Sequence, residues 1–144
     1  MTAALMGRTW SVLVPHHVSG ARLARHQLTK TLASRIRPNF LADVMTVVAE
    51  LVGNAVRHAR PLPDGMIRVT CQLIPTWPSD TIRIRVTDGG SSGSPQLRTA
   101  TPEALNGRGL TIVAALARRW GVENLGTGRC VWAELCGPDT GSIL

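Results

Sequence analysis

The stretch Leu41-Ala-Asp-Val-Met-Thr-Val-Val-Ala-Glu50-Leu-Val-Gly-Asn54-Ala-Val-Arg57-His58-Ala-Arg60 decides how the rest of the chain is read. Its apolar residues recur at helical spacing and predict a buried helix from Asn39 to about Ala59. Asn39 reads as the N-cap, and Asp43 falls in the first turn, where a negative charge suits the helix dipole. Arg57, His58 and Arg60 suit the other end, and Pro61 stops it. Inside this apolar run a carboxylate, Glu50, and an amide, Asn54, stand one turn apart, with His58 a turn further and Arg57 beside the stripe. Burying such groups without partners is costly. Either another helix satisfies the pair, or a ligand does.

Working outward, Trp10 to Val14 predicts a short strand ended by Pro15, and Val18 to Leu32 a helix with Val18, Leu23, Leu28 and Leu32 on its apolar side. Met66 to Ile74 and Thr81 to Thr87 alternate. Ile67, Val69, Cys71 and Leu73 share one face of the first strand. Ile82, Ile84 and Val86 share one face of the second, against Arg83 and Arg85. The turn-rich link Pro75–Asp80 makes the two an antiparallel hairpin with one buried face. A loop rich in Gly, Ser, Thr and Pro follows from Asp88 to Gly107, a length that is usually functional or disordered. A helix is predicted from Leu110 to Trp120, with Arg118 and Arg119 at its end and Gly121 as C-cap. The last strand, Cys130 to Cys136, pairs with one near Val122. These elements predict one domain over residues 1–144, with flexible ends at about 1–8 and 137–144. Its fold class is an α/β (α+β) two-layer sandwich, helices packed on one face of a mixed, largely antiparallel sheet.

Composition narrows the function classes. The chain has 144 residues, 44% hydrophobic, with a formal charge of +7; it is globular and large enough to bury a core. No segment approaches the roughly 20 apolar residues of a membrane helix, since Asp43, Glu50 and Asn54 interrupt the longest. The N-terminus lacks the pattern of a secretory signal, and the reading is cytoplasmic. Cys71, Cys130 and Cys136 have no metal-type spacing and read as small hydrophobes. All the basic residues but Lys30 are arginines. They are spread along the chain rather than gathered, and aromatic residues for base stacking are few. A basic surface of this kind suits a nucleotide or an acidic protein as well as it suits a nucleic acid.

Several chemistries are excluded. Nothing reads as a P-loop, Lys30 is in no strand context suited to a kinase lysine, and Gly107-Arg-Gly lacks the third glycine of a dinucleotide turn. Three features remain. Glu50 and Asn54 are hard ligands, and a magnesium ion uses one or two protein ligands with phosphates and water completing its shell; Glu50 could then act as general base. Asp88-Gly-Gly90 ends an alternating strand, where a carboxylate can accept from an exocyclic amine and glycines allow close backbone approach. Gly107-Arg108-Gly109-Leu110 opens a helix with free N–H groups and an added charge, an anion site. Each has a plain structural alternative: an inter-helix pair, a turn and a loop end.

The ordered set, a helix with ExxxN, a strand ending in DxG, a loop, then GxGL on a helix, resembles the GHKL (Bergerat-fold) ATP-binding domain, the histidine kinase-like ATPase fold. It is most similar to the small bacterial anti-sigma-factor serine/threonine kinases. The matching pieces are Glu50–Ala59, Val86–Gly90, Gly107–Val113, Trp120–Val122 and Thr127–Leu135. The resemblance implies ATP and magnesium as cofactors. It implies Asn54 as magnesium ligand, Glu50 as the catalytic base, and Asp88 on the adenine amine with Gly90 beneath the ring and Thr127 in support. Residues 91–106 would form the lid, and Gly107, Arg108, Gly109 and Leu110 would hold the phosphates with Arg57 nearby. The partners implied are a sigma factor and an antagonist protein whose serine or threonine is phosphorylated, and a homodimer is allowed. No membrane and no direct nucleic-acid partner are expected. Ser92 stands where many members have glycine, and the lid's only charged residues are Arg98 and Glu103. These departures motivate an alternative, a nucleotide-gated binding module with weak or no catalysis. A third reading is a basic nucleic-acid binder.

Overall fold

The computed structural model describes residues 7–90 and 108–138. In chain order the elements are β1 (Arg8–Pro15), α1 (Gly20–Leu32), α2 (Pro38–His58), β2 (Met66–Ile74), β3 (Thr81–Asp88), α3 (Arg108–Leu116), β4 (Arg119–Asn124) and β5 (Arg129–Cys136). The five strands form one sheet in the order β1-β2-β3-β5-β4. Every pairing among them is antiparallel. Period-2 alternation sends Ile67, Val69 and Cys71 of β2, Ile82, Ile84 and Val86 of β3, and Val131, Ala133 and Leu135 of β5 to one face, where all are buried. The helices cover that face, giving the two-layer α+β sandwich the sequence predicts.

Helix α2 is the spine of the helical layer, packing against α1, α3 and the sheet. Val44, Val47, Val48, Leu51 and Val52 are fully buried, each contributing roughly 1.5–3 kcal/mol over the exposed state. By length and composition this 21-residue helix would suffice to cross a membrane, contrary to the expectation from its three polar interruptions. In this fold its nine buried residues make it the core helix instead.

Several boundaries move. Helix α2 starts at Pro38 with Arg37 as N-cap, so Asn39 is not the cap and Asp43 lies beyond the first turn; proline at N1 has no N–H to leave unsatisfied. Helix α1 starts at Gly20 and buries Gly20, Ala24, Leu28 and Leu32, while Val18 and Leu23 are exposed. The packed face of α1 runs from the small Gly20 and Ala24 to Leu28 and Leu32. Helix α3 ends at Leu116, and Arg119, Trp120 and Gly121 belong to β4. Gly121 is no C-cap; a Cβ there would sit 3.0 Å from the ring of Trp132 across the strand pair. Of the cysteines, Cys71 and Cys130 are buried and Cys136 is exposed, all as free thiols. Burial pushes the Cys71 thiol up to about 12, so it behaves as the small hydrophobe expected.

Candidate functional site

The site forms where the end of β3, the start of β5 and the second half of α2 meet. Asp88 continues the apolar parity of Ile82, Ile84 and Val86, and so points into the core, where it is fully buried. Its partner in register on β5 is Arg129, which is in phase with Val131, Ala133 and Leu135 and is 5% exposed. Asn54, also fully buried, falls on the core stripe of α2. Sequence spacing alone does not bring these three together; the sheet register and the helix packing do.

One guanidinium joins them. Arg129 Nε and Nη2 donate to Asp88 Oδ2 at 3.2 and 3.0 Å. The same Nη2 donates to Asn54 Oδ1 at 3.1 Å. Asp88 Oδ1 accepts the Gly90 N–H at 2.7 Å. An ionised carboxylate offers about four acceptor positions, and these bonds fill three. Because a guanidinium only donates, the amide oxygen of Asn54 must be the atom facing it. That leaves Asn54 Nδ2 buried with no partner among the described residues. An orphaned buried donor is unusual and costly. Burial pushes the Asp88 carboxyl above its ordinary value, and Arg129, with the Gly90 N–H, opposes the rise without cancelling it.

The backbone around Asp88 is clamped by the segment leaving α2. Gly89 N–H donates to Arg60 O at 2.7 Å, and Arg60 N–H to Gly90 O at 2.9 Å. A Cβ on Gly89 would lie 2.1 Å from Pro61 O, so this glycine is required by the chain's own close approach. Gly90 takes a φ of +94°, which favours glycine. His16 Nε2 lies 2.8 Å from Ala59 O and ties the end of β1 to the same corner.

Glu50 lies one turn before Asn54, half-buried at the margin of the core stripe, and forms no ion pair or hydrogen bond with a described residue. Arg57 is exposed and folds back along the helix, its Nη1 3.0 Å from where a Cβ on Gly53 would stand. Leu110 is fully buried in the core. Its side chain is held by packing, and only the backbone of α3 could meet a ligand there. Arg108 and Gly109 are described as the opening of α3. Gly107 and the expected lid, residues 91–106, lie outside the described residues. Thr127 is exposed in the turn between β4 and β5, with its carbonyl oxygen 3.9 Å from where a Cβ on Gly90 would stand; the side chain that meets Asp88 itself is Arg129. The β5 parity, Arg129 in phase with three apolar residues, was the signal that could have found this arginine.

A family model of the histidine kinase-like ATPase domain matches residues 14–135. The chain belongs to this family. No curated protein matches it. The family is one of ATP-binding domains, and the resemblance drawn from the ordered motifs is thereby shown at the level of the fold and of nucleotide binding.

The residues of this ATPase domain fit a nucleotide base in one respect that the geometry makes explicit. Asp88 has one acceptor position left for an amine, and Asn54 has N–H groups left for an anionic or carbonyl oxygen. The fit to magnesium is different. The one atom of Asn54 that could ligate a cation, Oδ1, accepts one hydrogen bond from the Arg129 guanidinium at 3.1 Å and keeps a second acceptor position. As arranged, the positive charge beside that oxygen disfavours a divalent cation there.

Proposed function

We propose that this ATP-binding regulatory domain is a serine/threonine kinase of the anti-sigma-factor type. The observation that carries the reading is the buried Asp88 with an acceptor position to spare, near the N–H groups of Asn54, which have no partner among the described residues, with the Glu50 carboxylate, unpaired among the described residues, one turn away. An adenine amine donates to Asp88, and Gly90 passes beneath the ring. The opening of α3 at Arg108 and Gly109, preceded by Gly107, receives the phosphates, with Arg57 nearby. Glu50 takes the proton of the attacking hydroxyl as its oxygen bonds to the γ-phosphorus and the bond to ADP breaks. Most of the acceleration then comes from positioning and charge stabilisation.

In this reading the partners are a sigma factor and an antagonist protein that accepts the phosphoryl group. The setting is the cytoplasm, and a homodimer is compatible with it. The test is calorimetric titration with ATP, with and without magnesium, followed by transfer to a serine- or threonine-bearing partner. Asp88→Ala is expected to abolish saturable binding. Glu50→Gln is expected to keep ATP affinity and slow transfer by about 10²–10⁴-fold; transfer at the wild-type rate would remove Glu50 from its role.

A second reading has its own observation. The charge of Arg129 beside Asn54 Oδ1 disfavours the metal that phosphoryl transfer uses and leaves nucleotide binding possible. A nucleotide-gated binding module would bind ATP and hold its partner only with nucleotide present, and would leave that partner unphosphorylated.

A further inference from the structure

The cations of this chain are spread along its length, but the acids are not. Residues 1–42 hold six of its sixteen Lys and Arg and no Asp or Glu. Beyond them ten cations meet all nine acids, so nearly the whole net charge of +7 belongs to β1, α1 and the segments that flank them. The ion pairs Arg83–Glu134, Arg85–Glu123, Arg119–Glu134 and Arg129–Asp88 all lie beyond this region. None of its six cations forms an ion pair with a described residue. Helix α1 displays the surplus. Its buried line is Gly20, Ala24, Leu28 and Leu32. On the opposite side Arg22, His26 and Lys30 recur every four residues, flanked by Arg25, and all four are exposed. Beside this row stand Leu23, 41% exposed, and Val18, 79% exposed, just before the helix.

Cations and apolar side chains on one face narrow what can cover it. The backbone of a nucleic acid would neutralise the cations and offer nothing to Val18 or Leu23. An acidic helix of a partner protein seeks a groove, whereas α1 packs on α2 and β1 and turns its convex side outward. The interface of an anionic bilayer offers a convex surface both chemistries at once, phosphate headgroups over an apolar interior. We propose that the outer face of α1 docks on an anionic lipid surface, with Arg22, Arg25 and Lys30 against the headgroup phosphates and Val18 and Leu23 entering the interface. The helix lies on the bilayer and does not span it. This inference stands apart from the nucleotide reading of the site, and it adds a partner that the family resemblance does not imply.

The test uses the full chain and vesicles of phosphatidylcholine, alone or mixed with phosphatidylglycerol, with binding read by flotation. Binding is expected only to the anionic vesicles and is expected to weaken as salt rises. Replacing Arg22, Arg25 and Lys30 by Gln is expected to lower the affinity about fivefold for each cation and about 100-fold together. These side chains are exposed, so the fold survives their loss. Arg68→Gln is the control: it removes one exposed cation from the opposite face of the sheet and is expected to leave the affinity unchanged. Val18→Ser is expected to weaken binding at high salt, where the cations are screened. A loss at Arg68→Gln equal to that at Arg25→Gln overturns the inference, because net charge and not this face is then read. An unchanged affinity in Val18→Ser overturns it too, since the choice of lipid over nucleic acid rests on that apolar contact. No binding to anionic vesicles overturns it outright, and Arg22, Arg25 and Lys30 being required instead for duplex DNA or polyglutamate would assign the face to a nucleic acid or an acidic protein.

Discussion

Two acid–arginine clusters stand on opposite faces of the same sheet. On the core face Asp88 meets Arg129. On the outer face Glu134 meets Arg83, with its Nε at 2.7 Å, and Arg119, with Nε and Nη2 at 3.0 and 2.8 Å. Both carboxylates are buried, Asp88 fully and Glu134 at 6% exposure. Burial pushes both upward. For Asp88 it wins, and the carboxyl sits above its ordinary value. For Glu134 the hydrogen bonds and charges of two arginines outweigh it, and the carboxyl sits below. Two things differ: Asp88 is the more deeply desolvated, and it has one arginine where Glu134 has two. Glu134 is saturated and structural, with Arg119 also resting on the ring of Trp132 at 5.8 Å. Asp88 shares its one cation with an amide whose donors have no partner among the described residues. Incomplete satisfaction marks the functional face.

Breaking the core cluster has the largest expected effect. Arg129→Met leaves a buried carboxylate without its cation and is expected to destabilise the fold by about 3–5 kcal/mol, measured by urea unfolding. A second change, Asp88→Asn, is expected to recover part of that loss, since no charge then remains buried. Additive losses would separate the two residues and undo the contrast. Next comes the outer cluster. Glu134→Gln is expected to cost about 1–2 kcal/mol, because its two arginines are 30% and 62% exposed and water replaces much of what they lose.

Acidity sharpens the same contrast through opposite signs. Glu134 has a folded value below its unfolded one of about 4.3. Its stabilisation is complete above that pH and is lost as pH falls through the lower value. Asp88 has a folded value above its unfolded one of about 3.9. Its contribution is complete below that pH and is lost as pH rises through the raised value. Melting curves across pH are expected to show the wild type gaining on Glu134→Gln as pH rises, and losing ground relative to Asp88→Asn. Slopes of the same sign would mean that one assignment is wrong. The smallest effect is expected at Arg119→Ala, below about 1 kcal/mol. Arg83 keeps its pair with Glu134, and the lost contact is mostly solvent-exposed.

Much of this was legible in the residues. Alternation in β2 and β3 placed the buried face, and the apolar spacing of α2 placed the core helix with Glu50 and Asn54 on it. The ordered boxes led to the ATPase fold. Errors fell where one-dimensional cues conflict. Val18 and Leu23 are large and apolar yet exposed, because the packed face of α1 is the line Gly20, Ala24, Leu28 and Leu32. Arg118 and Arg119 read as the end of a helix, but Arg119 belongs to β4, whose pairing with β5 outweighs one more helical turn.

The sequence by itself determined the layers, the order of the motifs and the two polar residues of α2, because periodicity and spacing are local properties. Only the tertiary structure decided what those polar residues face. Register set Asp88 against Arg129, 41 positions away, and helix packing brought Asn54, 75 positions from that arginine, onto the same guanidinium. A hydrogen bond is a short-range interaction, and which groups come within 3 Å of one another is fixed only when the strands and helices have closed around them.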